Sequence, residues 1–156
     1  MSLQTELNLK KPPATKAHEA FLSVYFTGTC IKKMAARFLS EFGLSDVQFN
    51  LLMMLKHQGS KDGLTQAQLS DMLLVNRPNI TGLVDRMEKA SLIRRQGDPE
   101  DRRANRITLT PKSRKLVDKV DPIYGREMHR VMSGLNNSQI NEMIQTLEII
   151  RQKISE

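Results

Sequence analysis

The stretch Asp98-Pro-Glu-Asp-Arg-Arg-Ala-Asn-Arg-Ile-Thr-Leu-Thr-Pro111 constrains this chain more than any other. It packs Arg102, Arg103 and Arg106 into a short polar segment that runs straight into an alternating run, Ile107-Thr-Leu109. Upstream, Leu92-Ile93-Arg94-Arg95 has the composition of a first arm, and Gly97 and Pro99 supply turn chemistry between the two. The expected unit is a β-hairpin with an arginine-rich tip. Clustered arginines repel one another and bury nothing, so folding explains them poorly. A polyanion with a groove explains them well.

The rest of the chain reads as helices. Residues 1–13 are polar, end in Pro12-Pro13, and are expected to form a flexible arm. From about Ala14 to Phe42 apolar residues recur at helical spacing (Phe21, Val24, Tyr25, Gly28, Ile31, Ala35, Phe38, Phe42), and Gly43 ends the run. Ser45 and Asp46 are caps for a helix from Val47 to His57 that is apolar almost all round, as a central buried helix should be. Gly59 to Gly63 reads as a loop. Thr65-Gln-Ala-Gln68 has the form of a capping box and opens a short helix with Leu69, Met72 and Leu73 turned inward. Asn76 is placed to cap the next helix, with Pro78 tolerated in its first turn. Helix, turn, helix, hairpin is the order of a winged helix-turn-helix.

Beyond the hairpin, Thr110-Pro111 starts a long helix to about Ser133, expected to bend at Pro122. Asn136-Asn-Ser-Gln139 is a second capping box, opening an amphipathic helix with Ile140, Met143, Ile144, Leu147, Ile150 and Ile154 on one face. The expected class is therefore mainly α with a small β-hairpin. Residues 14–156 are expected to form a single domain, with a winged-helix lobe at about 45–109 flanked by helical segments at about 14–42 and 110–156.

Charge agrees with a nucleic-acid partner. The 156 residues carry a net +7, and the segment from Arg77 to Lys115 holds eleven Lys/Arg against five Asp/Glu. Nearly all the excess is thus concentrated in one quarter of the chain, which favours phosphate binding over a generally basic surface. No apolar run approaches the ~20 residues of a membrane span. The N-terminus lacks the hydrophobic core of a signal peptide, so a cytoplasmic location is expected. A single cysteine, Cys30, excludes an internal disulfide. His18, His57 and His129 are far apart, with no His-x-x-x-His or Cys-x-x-Cys, so no metal or other cofactor is expected. Cys30 has no glycine-rich loop, nucleophile elbow or paired carboxylates around it in sequence, and an enzyme is not expected.

On a helical wheel Ile80, Leu83, Val84 and Met87 share one narrow sector, the core face. Pro78, Thr81, Gly82, Asp85 and Lys89 lie opposite, with Asn79 and Arg86 on one flank. A helix in the major groove reads bases with its first turns, so Arg77, Asn79 and Thr81 are the candidate readers. Pro78 and Gly82 permit close approach, and Arg86 suits a phosphate. Asp85 would be repelled by phosphate unless paired, so it is expected to hold a neighbouring arginine.

Asn76-Arg-Pro-Asn-Ile-Thr-Gly-Leu-Val-Asp-Arg-Met-Glu-Lys89 resembles the recognition helix of the MarR family, winged-helix regulators named for multiple antibiotic resistance. Asp98 to Thr110 resembles its wing, including the Asp-x-Arg pair Asp101 and Arg103. The resemblance spans about residues 15–154. It implies a sequence-specific DNA-binding transcriptional regulator, most readily a homodimeric repressor on an inverted-repeat operator, dimerised through its first and last two helices. It also implies that Arg103 enters the minor groove with Asp101 holding it, leaving Arg102 and Arg106 as phosphate contacts or strand-edge charges.

Members of the family respond to phenolic or lipophilic anions, to peroxides or to metals. A small aromatic or lipophilic effector is the expectation here, with Tyr25, Phe26, Cys30, Met34, Phe49 and Met53 as candidate lining residues. Each of these also has an ordinary core reading, and Cys30, set among Phe26, Ile31 and Met34, is expected to be a buried small hydrophobe. A redox-responsive regulator acting through Cys30, a non-specific DNA binder and a protein-interaction module stand as alternatives.

Overall fold

The computed structural model describes residues 3–59, 62–73, 77–98 and 105–156. Its elements run α1 (Leu3–Glu6), α2 (Lys16–Ser40), α3 (Asp46–His57), β1 (Leu64–Thr65), α4 (Gln66–Leu73), α5 (Arg77–Lys89), β2 (Ile93–Gly97), β3 (Asn105–Leu109), α6 (Pro111–Met132) and α7 (Asn137–Ile154). By internal packing the chain divides into two compact units, Met1–Arg114 and Lys115–Glu156.

In the first unit the helix boundaries follow local chemistry. Thr15 caps α2 by accepting from the His18 amide. Ser45 caps α3 in a complete capping box with Gln48, which satisfies two donors that the first turn would otherwise leave open. At the far end of α2, Gly43 adopts φ +69°. The Leu44 amide then donates to Leu39 O at 3.1 Å and the Gly43 amide to Ser40 O at 3.0 Å, the two bonds of a Schellman cap. The end of α5 has the same pattern, with Leu92 N–H to Met87 O and Ser91 N–H to Glu88 O, but a serine at φ +57° stands where α2 has glycine. The residues beside both caps (Leu39 and Leu44; Met87 and Leu92) are buried, so each cap doubles as a core contact.

The sheet has three antiparallel strands in the order β1-β3-β2. Ile93 pairs with Leu109 and Gly97 with Asn105 across the hairpin, and Leu64 pairs with Ile107 on the other side. Strand β1 lies where a loop was expected to end, because two residues show no alternation in sequence. Gly63 makes the pairing possible: at φ +83°, a β-carbon there would lie 2.1 Å from Ile107 O. Phe49, Leu51 and Leu52 of α3 are sealed, as the central-helix reading requires. Within residues 1–13, Leu3–Glu6 closes one helical turn before the prolines.

Thr110 ties the hairpin exit to the start of α6. Its hydroxyl donates to Ser91 O at 2.8 Å and accepts from the Ser113 amide, while its own amide donates to Ser113 Oγ. Lys112 Nζ donates to Ala90 O, neutralising the carbonyl end of α5.

In the second unit α6 continues as one helix through Pro122. The box at Asn136 and Gln139 opens α7 as expected. No residue of α7 is buried; Ile140, Met143, Leu147 and Ile150 are half-buried, and Ile144, Ile149 and Ile154 are exposed. No helix among the described residues is long and apolar enough to cross a membrane.

Candidate nucleic-acid interface

The short helices α4 and α5 form the helix-turn-helix, and β2 and β3 follow as the wing. The core face of α5 is the predicted one: Ile80, Leu83, Val84 and Met87 are all buried. Asn79, Thr81, Arg86 and Lys89 are exposed on the other side, with Gly82 half-buried among them. Arg77 opens the helix and Pro78 follows, but their side chains lie outside the described residues. So do Asp101, Arg102 and Arg103, the predicted tip of the wing.

The exposed ridge of α5 separates two hollows. On one side Asn79, Gly82, Leu83 and Arg86 face Ser45, Val47 and Gln48 of the α3 start across a concavity of about 420 Å³. On the other, Ile80 and Thr81 face Gln66 and Ala67 of α4 across one of about 270 Å³. The candidate readers Asn79 and Thr81 therefore flank the ridge on opposite sides. Arg86 leans back along the helix, so that a β-carbon on Gly82 would come within 3.3 Å of its Nη1. Gly82 leaves the room in which the Arg86 head group sits.

The acids of α5 are paired from the wing. Arg95 of β2 donates to Asp85, and through Nη1 to Glu88 Oε2 at 2.9 Å. The Arg95 amide adds a third bond, to Glu88 Oε1 at 3.0 Å. Sequence reasoning called for an arginine beside Asp85 without identifying it. The partner is on the next element, where only folding brings it near. The one guanidinium offsets one of the two negative charges and draws both carboxylates toward β2, bracing that strand against α5.

A second ion pair closes the hairpin. Arg106 Nε donates to Asp98 Oδ2 at 2.9 Å, and the Asp98 side chain is nearly sealed. Arg106 thus spends part of its donor set inside the hairpin. Nothing in the sequence had singled out Asp98, whose cue would have been its place opposite an arginine once the register was known.

The predicted effector-pocket residues do not share one environment. Phe49 of α3 is 1% exposed, Phe26, Met34 and Met53 are half-buried, and Tyr25 stands 72% exposed on α2. Cys30 is exposed, correcting the expectation of a buried small hydrophobe. The reason is the extent of α2: only Ala35 and Leu39 on it are buried, so its apolar neighbours Phe21, Val24, Tyr25 and Ile31 are themselves open to solvent. Among the described residues no cluster of three or more His, Cys, Asp or Glu could hold a metal ion.

A family model described as the MarR family matches residues 42–104, from the end of α2 through the helix-turn-helix to the wing. The HTH-type transcriptional regulator YkoM of Bacillus subtilis (strain 168) is 27% identical over 118 residues, covering 76% of this chain and 75% of YkoM. Among solved structures, S. aureus MepR in complex with DNA matches with a TM-score of 0.77 at 25% identity, over 85% of this chain and 96% of MepR. CouR from Rhodococcus jostii RHA1, bound to p-coumaroyl-CoA, matches with a TM-score of 0.73 at 24% identity, over 90% of this chain and 95% of CouR.

Proposed function

We propose that the chain is a MarR-family transcriptional regulator, acting in the cytoplasm as a homodimeric repressor on an inverted-repeat operator; the family match over residues 42–104 and the likeness to YkoM support this reading. One observation carries this reading above all. Helix α5 buries a wholly apolar face and turns outward a face whose two acids, Asp85 and Glu88, are both paired with Arg95. What remains outward is cationic and hydrogen-bonding, the surface that a major groove accepts.

In this reading residues of about 45–109 form the DNA-binding lobe, and about 14–42 and 110–156 supply dimerisation. Arg77, Pro78, Asn79, Thr81 and Gly82 face the bases, and Arg86 and Arg102 meet phosphate. Arg103 enters the minor groove, where a narrow groove concentrates negative potential, and Asp101 positions it. Arg106 divides its donors between Asp98 and the DNA backbone. The exposed apolar faces of α2 and α7 are what a second protomer would cover. CouR, similar in fold, is bound to p-coumaroyl-CoA; for this chain we propose a small aromatic or lipophilic effector. Tyr25, Phe26, Cys30, Met34, Phe49 and Met53 are the proposed lining, with Tyr25 and Cys30 covered only in the dimer.

Footprinting the protein on the DNA upstream of its own gene tests the reading. A protected inverted repeat with half-sites roughly one helical turn (~34–36 Å) apart is expected. Protection that weakens with salicylate-like compounds, and not with a hydroperoxide, would favour the small-molecule effector over a redox response at Cys30. Absence of any protected repeat would remove the local-repressor model.

A further inference from the structure

Gln66 lies outside the recognition helix, yet the structure ties it to that helix. It is the first residue of α4, and its backbone is fixed from both sides. Thr65 before it pairs with Arg106 in the sheet. The capping box around it is complete: the Thr65 amide donates to Gln68 Oε1 at 2.9 Å, and the Gln68 amide donates to Thr65 Oγ1 at 3.2 Å. From this anchored start the Gln66 side chain crosses to α5, where Nε2 donates to Thr81 Oγ1 at 3.1 Å.

That bond is exposed to solvent. Water competes for both partners, so its net contribution to stability is small, and the fold does not need it. Its clear consequence is geometric. The amide is held at the edge of the hollow formed with Ala67, Ile80 and Thr81, beside the outward ridge of α5. One N–H is engaged by Thr81, leaving the second N–H and Oε1 as an adjacent donor and acceptor. A donor and an acceptor side by side on an amide match N7 and N6 of adenine in the major groove. The methyl groups of Ala67 and Thr81 next to it offer apolar contact of the kind a thymine methyl takes. A neutral, pre-oriented amide suits a base edge better than a phosphate, which is met most strongly by cations.

We propose that Gln66 is a specificity-determining residue, reading an A·T base pair in each half-site, with Thr81 acting as the strut that holds its amide. The proposal rests on the regulator reading above and adds a reader that the recognition helix does not contain. Because the strut removes side-chain freedom before binding, discrimination at that base pair depends on both residues.

Selection from a randomised duplex library tests this, with wild type, Gln66→Ala, Thr81→Val and Thr81→Ser run side by side. Gln66→Met serves as a second variant that keeps the side-chain stem and loses the amide. The wild type should enrich an inverted repeat. Both Gln66 variants should lose the preference at one A·T position per half-site and keep it elsewhere, with roughly tenfold weaker binding to the wild-type site. Thr81→Val should lose the same position, and Thr81→Ser, which restores the acceptor, should recover it. Uniform weakening at all sites, or an unchanged motif, in the Gln66 variants would overturn the proposal while leaving the regulator reading intact. A wild-type selection that enriches no motif would overturn that reading and this inference with it.

Discussion

Arg95 is the residue on which the helix-turn-helix and the wing depend jointly. It is half-buried and holds two carboxylates that face the proposed DNA side. Replacing it with alanine should lower stability by about 1–2 kcal/mol, since two charge-assisted pairs at partly screened positions are lost. Operator affinity should fall further than stability alone explains, because Asp85 and Glu88 then confront phosphate unpaired. Adding Asp85→Asn to Arg95→Ala should restore part of the affinity, measured by fluorescence anisotropy; no recovery would mean that the pair only shapes the fold. Ser91 offers the opposite case. Its left-handed backbone costs a non-glycine residue roughly 1–2 kcal/mol, and glycine loses about 0.5–1 kcal/mol of that gain through the unfolded chain. Ser91→Gly should therefore stabilise by about 0.5–1 kcal/mol in urea unfolding, with its carbonyl still accepting from Thr110.

At the scale of elements, recognition helix and wing are expected to divide the work. Asn79 stands exposed on the first turns of α5, and Arg103, the proposed minor-groove residue, lies outside the described residues. Asn79→Ala should change the ranking among operator variants, because base contacts specify. Arg103→Ala should weaken all of them by a similar factor, because a minor-groove guanidinium supplies mainly affinity. Competition binding against a panel of single-base operator variants separates the two, and a changed ranking for Arg103→Ala would contradict the division. The helices themselves were legible before the structure because their signals are local. The boxes at Ser45, Thr65 and Asn136, the glycine after α2, and the four core positions of α5 each stand within a turn or two of what they control. Strand β1 was not legible, since its two residues become a strand only through Ile107 and Arg106.

At the scale of the whole molecule, the exposed face of α2 calls for a second protomer. Phe21 and Tyr25 stand 66% and 72% exposed on α2, more apolar surface than a solitary helix face retains without cause. Tyr25→Asp should shift the protein from dimer to monomer in sedimentation velocity while the winged-helix lobe stays folded. If each protomer neutralises about four or five phosphates, the wild-type log–log dependence of affinity on salt should have a slope near about −8. The monomeric variant should show about half that slope. An unchanged slope and an unchanged sedimentation coefficient would place the dimer contact elsewhere than α2.

The sequence by itself determined most helix boundaries, the inward face of α5, the two arms of the hairpin and the basic stretch that called for DNA; it did not foresee that Met72 and much of the apolar face of α2 stand exposed. Caps, amphipathic period and charge density act over a few residues, so they can be read without knowing where the chain goes next. Only the tertiary structure decided which arginine answers Asp85, that Arg106 is partly spent on Asp98, that Cys30 lies open, and that Gln66 reaches Thr81. Each of these joins residues on different elements, or depends on what does or does not cover a helix. Such contacts follow from how the elements close in space, which no local pattern encodes.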